Sequence, residues 1–242
     1  KYNLGLELGL WNAFRGTFEV FYDIRENIFL QPQVSEVAGL QKPMYANLGK
    51  MDNRGFEASL EYNKVFDNGL VFTGRGNYTF ARNRYIEDGQ YYKNEWQDTK
   101  GVRYGERLMY DAMHLFSEEE IAALPDYYRQ FALDKTTLRP GDIRYRDVND
   151  DGKIDENDQI WTSSPANPEH MFGFGASLAY KGFDFSFLMQ GAAGATSYLS
   201  AGWYFQPFQA EREPKFMGNL IENFLDRWTP ENPDPYAFSP RL

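Results

Sequence analysis

The sequence has no cysteine among its 242 residues, which removes disulfide frameworks, thiolate metal sites and cysteine nucleophiles together. Histidine occurs only at His114 and His170. Neither has a partner at ligand spacing, so a zinc centre or a serine–histidine triad has nothing to build on. No apolar run reaches the roughly 18 residues that a membrane helix needs. Basic side chains are outnumbered, 25 Lys and Arg against 35 Asp and Glu for a net charge of -10, and without an excess of cations to neutralise phosphates a nucleic-acid partner is not expected. No glycine-rich phosphate loop opens a helix, and no spacing singles out two carboxylates for glycoside hydrolysis. With these gone, the chain is not expected to be an enzyme. It begins Lys1-Tyr2-Asn3 without a secretion signal, which for an exported protein implies that the natural start lies upstream.

Aromatic residues are abundant instead, with 17 Tyr, 20 Phe and 5 Trp, although mean hydropathy is only -0.63. Six stretches alternate apolar and polar residues: Asn3 to Leu10, Thr17 to Arg25, Gly55 to Asn63, Leu70 to Ala81, Met171 to Tyr180 and Phe183 to Gln190. Each is near the roughly 9 to 11 residues with which a tilted strand crosses hydrocarbon. Tight connections at Trp11 to Gly16, Lys64 to Gly69 and Lys181 to Gly182 alternate with long ones at 26–54, 82–170 and 191–242. An up-and-down meander puts all the tight turns on one side, the asymmetry of an outer-membrane barrel.

Parity carries the physical argument. One face offers Leu4, Leu6, Leu8, then Phe18, Val20, Tyr22, then Phe56, Ala58, Leu60, and so on to Phe183, Phe185 and Phe187, with no charge. The charged residues of the same stretches, among them Glu7, Glu19, Asp23, Arg25, Glu57, Glu61, Arg75 and Asp184, all have the other parity. A charge facing lipid at mid-depth costs roughly 2 to 4 kcal/mol, so a bilayer enforces this segregation. A soluble antiparallel sheet with one wet face alternates in the same way, and it predicts that Leu4, Leu6 and Leu8 are buried by the protein itself. The predicted fold class is all-β, an antiparallel meander belonging to a large transmembrane barrel. The Pro-rich end, Pro230 to Leu242, brings no returning strand, and open sheet edges do not stand in lipid, so six strands are expected to be part of a larger wall.

The most specific local signal is the run from Asp147 to Asp158. It matches the calcium-loop pattern at positions 1, 3, 5 and 6, with a carboxylate at position 12. Asp147, Asn149, Asp151 and Asp158 are the expected side-chain ligands of Ca²⁺, Lys153 supplies its main-chain carbonyl, and Asp155 contributes directly or through water. Asp158 stands where a glutamate is usual, and Pro140-Gly141 ends any preceding helix. An Asp- and Gly-rich turn that binds nothing has the same composition. Ser117 with Glu120 reads as a capping box opening a short helix, Glu118 to Leu124. Trp96, Trp161, Trp203 and Tyr204 lie in the long connections as candidate ligand-stacking residues, or as packing within those loops.

Four blocks carry a family resemblance, one of them Arg227 to Pro233 with Pro240 to Leu242, which resembles a late extracellular loop. Asn47, Gly49, Asn53, Arg54, Gly55 and Glu57 fit the segment N-x-G-x-x-x-N-R-G-x-E; Gly141 to Asp155 is similar to GDIKYKDVNGDGVID; and Met171 to Phe174 with Leu178 to Phe187 resembles the hairpin that follows. In these blocks the chain resembles the SusC/RagA family of TonB-linked outer-membrane transporters. The resemblance implies a plugged barrel of about 22 strands, of which the chain is a piece from the C-terminal half, residues 1–242, with the plug domain and TonB box outside it. It implies localisation in the outer membrane of a Gram-negative cell and import of oligosaccharides or peptides. The expected partners are a SusD-like surface lipoprotein, the TonB complex and the lipid bilayer. The alternative is a soluble, calcium-stabilised carbohydrate-binding β-module at the cell surface.

Overall fold

The computed structural model describes residues 1–34, 42, 44–198 and 222–241. Four long strands come first: β1 (Tyr2–Leu10), β2 (Phe14–Leu30), β3 (Ala46–Val65) and β4 (Val71–Glu87). Seven short strands follow: β5 (Leu108–Tyr110), β6 (Ala112–Leu115), β7 (Arg129–Gln130), β8 (Leu133–Asp134), β9 (Ile143–Tyr145), β10 (Lys153–Ile154) and β11 (Gln159–Trp161). Two more long strands, β12 (His170–Tyr180) and β13 (Phe183–Ala193), complete the series. Among the described residues one α-helix, α1 (Glu118–Ala123), lies between β6 and β7.

The long strands form one antiparallel sheet in the order β1-β2-β3-β4-β12-β13, within a unit made of residues 1–107 and 162–196. Its turns follow from residues that tolerate positive φ: Lys181 (49°) and Gly182 (86°) make the two-residue link of β12 to β13, and Trp11 (55°) and Asn12 (51°) turn β1 into β2.

Register makes the two faces continuous. Leu6 pairs with Phe18, Phe18 with Ala58, Ala58 with Tyr78 and Tyr78 with Phe172, so one apolar row crosses five strands. Rings on this face meet across the strands, Phe18 to Phe56 at 5.9 Å, Phe56 to Tyr78 at 5.6 Å and Phe80 to His170 at 5.0 Å. Among the described residues nothing covers this face in a second layer: Leu4 is 73% exposed, Leu6 55%, Leu8 48% and Phe183 81%. That is the opposite of what a soluble sheet requires.

The strands outrun their expected lengths. β2 ends at Leu30, β3 begins at Ala46 and β4 ends at Glu87, so the expected loop 26–54 contracts to 31–45. The extensions were hidden because their apolar-parity positions turn charged. Above Val20, Phe56 and Phe80 the next paired residues are Tyr22, Arg54 and Arg82, then Ile24, Asp52 and Arg84. A ladder continues where backbone groups still need partners, whether or not the side chains are apolar.

A second unit comprises 108–161 and the described part of 197–242. Its core is Phe116, Tyr128, Leu138 and Ile154, with Tyr110, Ile121, Leu124 and Tyr145 against it. Capping forms α1 as the sequence suggests: the Ser117 side chain accepts the Glu120 amide, and the Glu120 carboxylate accepts the Ser117 amide. Residues 226–241 return to this unit. The Leu115 amide donates to the Pro235 carbonyl (2.8 Å) and the Arg241 amide to that of Gly141 (3.1 Å).

Candidate functional site

On the charged-parity face of the wall, Arg25, Met51, Asn53, Ala81 and Asn83 form one side of a cavity of about 410 Å³. This is within the usual range of ligand pockets, roughly 300 to 1,000 Å³. Strand alternation gathers these residues: Met51 pairs with Arg25 and Asn53 with Asn83. The opposite side comes from two loop segments, Arg103 and Tyr104 from one and Pro165 to Glu169 from the other. The loops are tied to β4 by their backbones. The Tyr85 amide donates to the Val102 carbonyl (2.9 Å), the Gly101 amide to that of Tyr85 (2.8 Å) and the Tyr104 amide to the side-chain oxygen of Asn83 (2.6 Å).

A buried carboxylate fastens the rim. Glu169, 6% exposed, accepts from Arg82 through both oxygens (2.6 and 2.8 Å) and from Arg103 (3.0 Å). Arg103 also pairs with Glu106 and donates to the Ser163 carbonyl. The hydrogen bond from Arg82, with the charge of Arg103 beside it, holds the Glu169 carboxyl below its ordinary range against the opposing pull of burial. Arg82 and Arg103 are thereby engaged. Arg25 and Asn53 have no ion pair or side-chain hydrogen bond among the described residues, and Asn83 keeps its amide N–H groups uncommitted, so the wall side presents these donors together with the Asp52 carboxylate, whose Oδ1 is buried without a partner.

The loop 147–158 lies in the second unit. Asp147 accepts the Asp151 and Gly152 amides (3.2 and 2.7 Å), and Asn149 that of Asp151 (3.1 Å). Asp151 accepts the Lys153 amide (2.8 Å) and Asp155 that of Asn157 (2.8 Å). Asp158, fully buried, accepts the Val148 and Asp155 amides (2.9 and 2.8 Å). Gly152 has φ of 77°, and a Cβ there would meet the Tyr127 ring at 2.4 Å. These residues thus form the compact turn that a calcium loop requires, but its oxygens are directed onto its own amides. Among the described residues no group of three or more His, Asp or Glu side chains is gathered as for a metal ion.

No protein-family model matches the chain. Over 96% of its length it is 26% identical to TonB-dependent receptor P26 of Formosa agariphila, covering 23% of that receptor. It is 23% identical to TonB-dependent receptor P39 of the same organism over 77% of its length. Its fold matches the RagAB peptide importer in the open-open state with a TM-score of 0.64, at 14% identity over 99% of this chain and 25% of that one. A structure of the RagAB peptide transporter gives 0.63 at 15% identity.

The chain is similar in sequence to TonB-dependent receptors and in fold to the RagAB importer.

It spans about a quarter of the length of the curated relatives it matches, and its all-β fold is that of a segment of barrel wall. Within this wall and its connections the expected aromatic sites scatter. Trp96 lies on a short 3₁₀ turn of the wall unit and Trp161 ends β11 in the other unit. Trp203 and Tyr204 lie outside the described residues. Neither histidine is idle: His114 pairs with Glu120 at 2.7 Å and His170 with the Tyr78 hydroxyl at 2.6 Å. Sequence reading missed the cavity. Its signal was the run of uncharged polar residues at charged-parity positions, Asn53 and Asn83, beyond the apolar band.

Proposed function

We propose that the chain forms wall and loops of an outer-membrane active transporter that imports oligosaccharides or peptides. It works with a SusD-like surface lipoprotein and is energised by the TonB complex through parts of the receptor beyond this sequence. The observation that carries the reading is the uncovered apolar face running in register across six strands: lipid is the solvent in which such a face is stable. In this reading the long connections are extracellular, the cavity opens towards incoming nutrient, and no bond is made or broken. Outer-membrane fractionation of the receptor, and loss of nutrient uptake when its gene or the TonB complex is removed, test it. A receptor recovered in the soluble fraction overturns it.

The same proposal assigns Ca²⁺ to loop 147–158, with Asp147, Asn149, Asp151, Asp158 and the Lys153 carbonyl as ligands and Asp155 direct or through water. Each carboxylate oxygen that accepts one amide retains a second lone pair, and a bound cation would offset the repulsion among the carboxylates. Limited proteolysis of residues 139–161 with calcium and with a chelator tests the assignment, cleavage after Arg144, Arg146 and Lys153 being the readout. Equal rates remove calcium from the proposal.

A further inference from the structure

We propose that Arg25 is an anion-recognition residue that binds a carboxylate of the imported ligand in the wall cavity, an assignment that rests on the transport reading. Arg25 lines the cavity, is exposed, and has no ion pair among the described residues. Of the other arginines near the rim, Arg103 is paired with Glu106 and Glu169 and Arg82 with Glu169, while Arg84, which is not part of the lining, has its Nε buried without a hydrogen-bond partner. The acidic residue next along the same face, Asp23, pairs in the ladder with Asn53 rather than with Arg25, and forms no salt bridge with it. Asp52 also touches the cavity; it has the opposite strand parity to Arg25 and forms no ion pair among the described residues, and its Oδ1 is buried without a hydrogen-bond partner.

Arg25 is therefore the cation of the cavity lining that is held in no ion pair among the described residues. Its planar fork matches a carboxylate in two parallel hydrogen bonds, and the amides of Asn53 and Asn83 add donors beside it. A phosphate dianion would call for a second uncommitted cation, which the cavity lacks. Tyr104, 53% exposed on the opposite side, supplies an apolar ring against which the body of a ligand lies. The chain as a whole is acidic, at -10, so this guanidinium stands out from a field that otherwise repels anions, and it selects one class of them at one place.

The test uses the complete receptor purified in detergent and isothermal titration with two matched pairs of probes. One pair is tetragalacturonate and its carboxyl-reduced neutral counterpart. The other is tetraalanine and its C-terminal amide. The expected result is that at least one carboxylated probe binds about tenfold or more tightly than its neutral twin, the scale of hydrogen bonds to a charged group. Arg25→Gln abolishes that difference, and Arg25→Lys restores part of it by keeping the charge. Asn53→Asp, which places a negative charge beside the fork, weakens the carboxylated probe and spares the neutral one; it serves if Arg25→Gln does not assemble. The pair that responds identifies the source of the carboxylate. If no carboxylated probe outbinds its twin, or the advantage survives Arg25→Gln, the assignment is overturned while TonB-driven uptake can still stand. A receptor absent from the outer membrane removes the transport reading itself.

Discussion

The ring of Phe21 closes over the bare Cα of Gly55, its ladder partner on the adjacent strand. A Cβ built on Gly55 would lie 2.8 Å from that ring and 1.9 Å from the carbonyl oxygen of Phe80. Glycine is required here by close approach: the backbone of β4 and the aromatic lid leave no room for a methyl group. Gly55→Ala should therefore destabilise the wall by about 1 to 3 kcal/mol, the usual scale of overpacking. The midpoint of urea unfolding in detergent should fall relative to Gly9→Ala, where an added Cβ meets nothing within 4 Å. Equal midpoints would refute the steric account.

Val20 and Glu19 are neighbours on opposite faces. Val20→Arg puts a charge among Leu4 and Phe56 and should cost roughly 2 to 4 kcal/mol at mid-depth. Glu19→Arg puts it opposite Glu57, exchanging a like-charge pair for an opposite one, which is neutral or favourable by a few tenths of a kcal/mol. Folded receptor recovered from outer membranes should fall for the first and hold for the second. The reverse order would mean that the two faces have been exchanged.

Acid should loosen the cavity rim. The Glu169 carboxyl is held below its ordinary value near 4.5, so its contribution is complete above that value and is lost as pH falls through the lowered one. Protection of residues 99–107 against hydrogen exchange, taken relative to the intrinsic exchange rate at each pH, should fall progressively as the pH drops below about 4.5 in the native receptor. Glu169→Gln should make the segment fast at every pH, with this acid-dependent part gone. Protection that rises on acidification, once the intrinsic rate is divided out, would contradict the sign.

Glu120 is asked to do more than Ser117. Burial pushes its carboxyl up, but the Ser117 amide, His114 and Arg144 together hold it below the ordinary range. Ser117→Ala should cost α1 about 1 kcal/mol as a lost cap. Glu120→Ala should cost more, since it also strips His114 and Arg144 of their acceptor. Amide exchange over residues 118–124 gives the ranking; a larger effect from Ser117→Ala would show that the cap alone holds the helix.

Periodicity made the six wall strands legible, because within the six alternating stretches no charge falls on the apolar parity. It lost sight of the strands at Arg54 and Arg82, where the ladder continues outside the apolar band and side-chain pattern no longer reports backbone pairing. The capping box at Ser117 and Glu120 was legible for the opposite reason: its partners are three residues apart. The loop 147–158 was legible as a turn through Gly152. Whether it holds a cation depends on oxygens that composition does not orient.

The sequence by itself determined which side of each strand meets the apolar phase and where the chain must turn, because both depend on neighbours within a few positions. Only the tertiary structure decided register, and with it which strands share a row, that Phe21 lids Gly55 and that Asn53 stands beside Asn83. It alone brought residues 226–241 back onto β6 and Gly141, and placed the loops carrying Arg103 and Glu169 over the wall to enclose a cavity. Those contacts join residues about 20 to 120 positions apart, and loop closure over such lengths adds only a slowly growing entropic cost, so no local pattern records where the chain returns.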